Sequence, residues 1–257
     1  MLKGKIAIIT GGAKGIGQAV ALKLTEYGAK VVLTDTDEEN LQKTAKLIKD
    51  AGSEVMTYRM DVSKKAECEA SVNAAVENFG TLDILVNSAG IIRAGLLVDM
   101  PEDDWKKVID VNLNGTFFMG QAAMKVMIPK KYGRIINIAS QAGKLGEAGA
   151  GPYCASKAGI VRLTEVQGLE LAEHGVTANG LSPGYIDTQM MRDVFDDRAP
   201  VMGMSVAEYE AMLMKTVPMG RMAKPEEVAE LIAFLASDKA AYITGVTYTI
   251  AGGKLLF

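Results

Sequence analysis

The chain has one histidine, His174, in 257 residues, so proton transfer near neutral pH must fall to some other side chain. Two cysteines, Cys68 and Cys154, are too few and too far apart for a disulfide framework or a structural zinc site. No metal is expected, and free thiols fit a reducing cytoplasm. Cys154 adjoins Tyr153, so its alkylation is expected to act by crowding rather than by removing a nucleophile. A formal net charge of −3 gives no electrostatic reason to expect nucleic acid or an anionic membrane as partner. The opening Met1-Leu-Lys-Gly-Lys runs straight into a short apolar strand, far below the length of a leader or a membrane span. A cytoplasmic protein is the expectation.

Hydrophobic residues make up 49% of the chain and charged ones 23%, enough apolar material for a sizeable core. Short apolar runs at 6–10, 30–34, 54–60, 82–87, 134–139, 176–181 and 246–250 read as strands. Between them, helical patterns cover 17–27, 39–51, 66–79, 105–127, 153–173 and 225–236, with an irregular stretch before the last. Regular alternation of this kind predicts one doubly wound α/β domain over 1–257. Its parallel sheet of about seven strands should carry helices on both faces. Ligands in such sheets bind beyond the carboxyl ends of the strands. Asp35, Asp61, Asn87, Ser140 and Pro183 all fall at or just past predicted strand ends.

The turn after the first strand reads Thr10-Gly11-Gly12-Ala13-Lys14-Gly15-Ile16-Gly17. Glycines there let the backbone approach a phosphate, and the helix that follows offers free N–H groups to a pyrophosphate. Asp35 closes the second strand, where a carboxylate accepts hydrogen bonds from ribose hydroxyls and repels a 2′-phosphate. At ~4 Å and an effective dielectric of ~20 that repulsion is about 4 kcal/mol, on the order of a thousandfold in affinity. No arginine follows to offset it, so NAD is expected over NADP. Lys14 is the opposing hint, set against its reading as a solvated loop lysine.

Tyr153 and Lys157 lie four positions apart, after Pro152. A helix opening near Pro152 would stack them on one face, where an ammonium at ~4 Å would draw a phenol from ~10 towards neutrality. The same spacing also suits two surface side chains that never meet.

Together these features resemble the short-chain dehydrogenase/reductase family, over the whole chain. The glycine pattern at 10–17 matches, as do Asp61-Val62 for the adenine and Asn87-Ser88-Ala89-Gly90, where Ser88 stands in place of the family's second Asn. Asn112 matches the helix asparagine of the proton relay, and Ser140, Tyr153 and Lys157 match the catalytic set. Ile186 and Thr188, after Pro183-Gly184, match the segment that holds the nicotinamide carboxamide. The resemblance implies that Gly11, Gly15, Ile16, Gly17, Asp35, Asp61, Val62, Asn87, Ile186 and Thr188 bind NAD, joined by Tyr153 and Lys157. It further implies that Ser140 holds the substrate oxygen, Tyr153 moves its proton, Lys157 lowers the tyrosine pKa, and Asn112 holds a relay water. A homotetramer is implied too, with the apolar end 255–257 at a subunit contact.

For the substrate, the stretch 140–147 looks like that of polyol dehydrogenases, with Gln141 and Glu147 placed to bond vicinal hydroxyls. Lys144 or Arg93 would meet a phosphate if the polyol carried one. The expected reaction is oxidation of a polyol, a sugar alcohol or its phosphate. Reduction of acetoin-type small ketones ranks next and 3-oxoacyl-carrier-protein reduction behind it, while a non-catalytic NAD-binding regulator is the alternative of another class. Segment 188–222 holds eight of the fifteen methionines, which suits a substrate lid or equally a helix packed on its Met side. Its charged residues, Arg198 among them, read as a solvated face.

Overall fold

A computed structural model describes residues 1–255. Seven parallel strands form one sheet in the order β3-β2-β1-β4-β5-β6-β7. They span Ile6–Thr10, Lys30–Asp35, Val55–Arg59, Ile84–Asn87, Gly133–Ile138, Val176–Pro183 and Thr247–Ile250 in chain order. The inner strands β1 and β4–β6 are buried along their whole length, as near-continuous apolar runs in a two-sided parallel sheet must be. Helices α1 (Gly15–Glu26) and α9 (Pro225–Leu235) belong to the core on one face. Cys68 and Val72 of α3 (Lys65–Phe79) and Met119 and Met127 of α5 (Gly115–Lys130) fill the other. Both cysteines are free. No helix among the described residues is long and apolar enough to cross a membrane.

The strand order reverses between β1 and β4, so the turns that follow these two strands flank the crevice where such sheets take ligands. Thr10 ties the turns together. Its hydroxyl accepts from the Ser88 and Ala89 N–H groups at 3.0 and 3.1 Å.

Two expectations change. The single helix predicted over 105–127 is instead α4 (Glu102–Ile109), a π-turn over Asp110–Asn114, and then α5. Asn112 lies in that π-turn with its side chain committed to another segment, and such local unwinding is characteristic of functional sites. The stretch expected to be irregular carries two helices, α7 (Gln189–Val201) and α8 (Val206–Met214). Ser205 and Glu208 form a reciprocal capping box at the start of α8, and Phe195 packs edge-on against Tyr209 with centroids 5.9 Å apart. Of the apolar end expected at a subunit contact, Leu255 is buried, whereas Leu256 and Phe257 lie outside the described residues.

Candidate active site

A cleft of about 840 Å³ runs along the carboxyl ends of the strands. Its nucleotide end begins at the glycine turn. Gly11 adopts φ +67° with Ala89 so close that an added Cβ would meet its Cα at 2.9 Å. A Cβ on Gly17 would collide with the Gly11 carbonyl oxygen. These positions therefore require glycine, and no side chain caps the first turn of α1. Its free N–H groups face a backbone concavity lined by Gly11, Gly15, Ile16 and Gly17, the shape and polarity that a pyrophosphate needs. Asp35 accepts from the Ala13 and Asp37 N–H groups at 3.2 and 3.0 Å, which fixes its carboxylate at the cleft wall. Asp37 lines the same wall, with Lys14 3.5 Å away. Asp61 and Val62 follow, Asp61 held by the Ser63 N–H and hydroxyl at 2.9 and 2.7 Å. Ile186 and Thr188 close this end from beyond β6, and Thr188 caps α7. The residues present thus fit a nicotinamide dinucleotide.

Two residues expected at the site do not face it. Asn87 turns into the sheet and donates to the Asn137 side-chain oxygen at 2.9 Å, leaving Ser88, Ala89 and Gly90 to line the cleft. Asn112 is wholly buried behind the wall. Its amide donates to the Ile91 carbonyl and the Ser156 hydroxyl, and its oxygen accepts the Ile91 N–H, all within 3.0 Å. Through these bonds the side chain clamps the loop carrying Ile91.

Deeper in the cleft, Ser140, just past β5, meets Tyr153 and Lys157 from α6 (Gly151–Leu171), whose first residues are Gly151 and Pro152. The four-residue spacing does stack tyrosine and lysine: Lys157 Nζ lies 5.6 Å from the Tyr153 ring centroid. The phenol stands above, not below, its ordinary value. Burial pushes Tyr153 up to about 12, with Ser140 hydrogen-bonded to its hydroxyl pulling it partly back. Burial also draws Lys157 down to about 8. The ammonium donates to the Ile138 carbonyl at 2.7 Å, so its charge is partly spent on the backbone, and Lys157 itself is almost wholly buried. Desolvation is the largest influence on both groups.

The residues assigned to vicinal hydroxyls bond each other: the Gln141 amide donates to Glu147 at 3.2 Å. Lys144 is likewise withdrawn, donating to the Thr247 carbonyl and the Thr249 hydroxyl at 3.3 and 3.0 Å. Arg93 lines the cleft but sits 3.5 Å from Asp104. Three cleft residues were missed. Lys254 donates to the Tyr185 hydroxyl at 2.5 Å, joining tail to cleft wall, and Arg198 points inward from α7. For Arg198 a signal existed: Met191, Val194, Phe195 and Arg198 follow the i, i+3, i+4, i+7 spacing of one helix face.

A family model described as enoyl-(acyl carrier protein) reductase matches residues 11–254. The 3-oxoacyl-[acyl-carrier-protein] reductase FabG of Vibrio cholerae is 39% identical over 255 residues, covering 99% of each chain. The (2S)-[(R)-hydroxy(phenyl)methyl]succinyl-CoA dehydrogenase subunit BbsD of Thauera aromatica is 38% identical over 256 residues, 100% of this chain and 98% of that one. The crystal structure of actinorhodin polyketide ketoreductase with NADPH matches with a TM-score of 0.95 at 36% identity, covering 99% of both chains. These relatives overturn the ranking drawn from the 140–147 stretch. That stretch ranks polyol oxidation ahead of 3-oxoacyl-carrier-protein reduction, yet the full-length likeness is to a reductase of the latter kind. The stretch misled because its polar residues are occupied by one another and by β7.

Proposed function

The chain belongs to the short-chain dehydrogenase/reductase family and is an NAD(P)-dependent oxidoreductase acting on CH–OH groups; from that premise we propose that it interconverts 3-oxoacyl and 3-hydroxyacyl thioesters with NAD(H). The observation that carries this reading is a single cleft that joins Ser140, Tyr153 and Lys157 to an apolar wall from α7 and α8. Such a wall suits an acyl chain better than a polyol. The relatives point the same way, since FabG is a 3-oxoacyl-[acyl-carrier-protein] reductase and BbsD belongs to a dehydrogenase of a hydroxyl-bearing succinyl-CoA.

Bound in the cleft, a nicotinamide cofactor would supply the hydride exchanged with the substrate carbon. The chain's own residues supply the rest. Ser140 donates a hydrogen bond to the ketone oxygen and stabilises the charge that develops there. Tyr153, held protonated by its burial, gives that oxygen a proton as the hydroxyl forms. Lys157 orients the tyrosine and would help hold the nicotinamide ribose of a bound cofactor. Asn112, by fixing Ile91, sets the rim of the cleft. Helices α7 and α8 act as the lid over the acyl chain.

The preference for NAD rests on Asp35, whose pinned carboxylate has Asp37 rather than an arginine as its neighbour in the cleft wall. A homo-oligomer is supported by apolar side chains left outside the core, Leu169 at 80% exposure and Phe117 at 39% among them, and light scattering checks it. The test of function is turnover of acetoacetyl-CoA with NADH and with NADPH. Oxidation of NADH supports the reading. Turnover of small ketones alone, with acetoacetyl-CoA inert, removes the thioester.

A further inference from the structure

Arg198 is a cation on a wall that should be apolar. Helix α7 turns Met191, Val194 and Phe195 towards the cleft, and Arg198 continues that stripe one turn on. In the same segment, Phe195, Ala199, Tyr209, Met191, Met204 and Met212 pack as a small core. Yet one of its terminal nitrogens, Nη2, is shielded from solvent without any hydrogen-bond partner. Other arginines in this part of the chain are neutralised: Arg192 lies 2.5 Å from Asp187, and Arg221 lies 2.7 Å from Glu227. Asp193, on α7 itself, is taken by Gln189 at 2.7 Å.

A guanidinium is always charged and presents several donors in a fixed fork. Arg198 as a whole is half-buried, but leaving its shielded Nη2 without an acceptor is unfavourable, and native structures rarely do so unless a water or a ligand completes the site. The acceptor must come from within the cleft, and it must be anionic to match the charge. We infer that Arg198 is the anion anchor of the substrate pocket, pairing with an oxyanion carried by the substrate. This rests on the thioester reading above and refines it: the preferred substrate bears a carboxylate on its acyl part or a phosphate on its carrier. Both sources present the same planar or tetrahedral oxygen pair to the fork.

Binding, rather than turnover, separates this inference from the reading it rests on. The hydroxyl form of the substrate and NADH form a complex that cannot react, and NADH fluorescence reports its dissociation constant. Three ligands suffice: the N-acetylcysteamine thioester of 3-hydroxybutyrate, which is neutral, the N-acetylcysteamine monothioester of 3-hydroxyadipate, which adds a carboxylate, and 3-hydroxybutyryl-CoA, which adds phosphates. Wild-type protein should bind at least one anionic ligand ten times or more tighter than the neutral one, the size of a charge-assisted hydrogen bond. Arg198→Met should erase that preference, with neutral-ligand and NADH affinity changing less than threefold, and Arg198→Lys should restore part of it. The arm that loses affinity identifies carboxylate or phosphate as the source. Equal affinity for all three ligands in the wild type, equal losses for all three in the variant, or weakened NADH binding would each overturn the inference. Absent turnover with intact anion preference would instead count against the thioester chemistry alone.

Discussion

Replacing Lys157 with methionine should make the ligand-free protein more stable while damaging its function. The side chain is 4% exposed, and burial holds its pKa at about 8 rather than 10.5. At 1.36 kcal/mol per pH unit, keeping that ammonium charged at neutral pH costs about 3 kcal/mol of folding free energy. Methionine fills much the same volume but forfeits the charge-assisted bond to the Ile138 carbonyl, worth about 1.5 kcal/mol. The net gain is about 1.5 kcal/mol, or roughly 3–6 °C in melting temperature for a chain of this size. The pH dependence carries the argument. Between about pH 8 and 10.5 the unfolded lysine binds more protons than the folded one, so wild-type stability from this group rises across that window. The penalty is present in full below about pH 8, so the advantage of Lys157→Met should be largest at pH 7 and shrink by pH 9.5. Tyr153, with a folded pKa of about 12, loses stability only above its unfolded value near 10 and does so in both proteins. Urea unfolding at fixed protein concentration and several pH values supplies the assay. A variant less stable than wild type at pH 7, or an advantage that stays constant to pH 9.5, would refute desolvation as the dominant force on this lysine.

Other substitutions probe the remaining parts of the site. Asp35→Ser should raise NADP affinity relative to NAD by ten- to a thousandfold, read by fluorescence titration of the two reduced cofactors; an unchanged ratio would move the selectivity elsewhere. Asn112→Ala strips partners from the part-buried Ile91 N–H and from the buried Ser156 hydroxyl. It should cost about 2–4 kcal/mol in urea unfolding, and a loss under 0.5 kcal/mol would contradict the clamp. Gly17→Ala forces a methyl group against the Gly11 carbonyl and should abolish measurable NADH binding, which calorimetry on the folded variant checks.

Much of this was legible because it is local. The strand 6–10 is a plain apolar run that ends in glycines, and it forms over those residues. The Pro152 signal placed Tyr153 and Lys157 on one helix face, as the 5.6 Å contact shows. What stayed hidden depends on distant partners. The side chain of Asn112, in the π-turn, goes to Ile91, twenty-one positions earlier, and nothing in the helical pattern of 105–127 announces that partner. The Tyr153 acidity was misjudged because a Coulomb estimate counts the neighbouring charge but not the lost water. Gln141 and Glu147 looked free because their mutual bond depends on the loop's fold. Arg198 looked solvated because charge density was weighed and the helix face was not.

The central claim, a thioester ketone reduced at Tyr153, is tested most directly by one comparison. Wild type and Tyr153→Phe are given acetoacetyl-CoA and NADH, with NADH binding measured in parallel. The account predicts turnover by the wild type, at least a hundredfold less by the variant, and NADH affinity alike in both. Turnover retained in Tyr153→Phe, or a wild type that binds NADH yet leaves acetoacetyl-CoA unreduced, would contradict it.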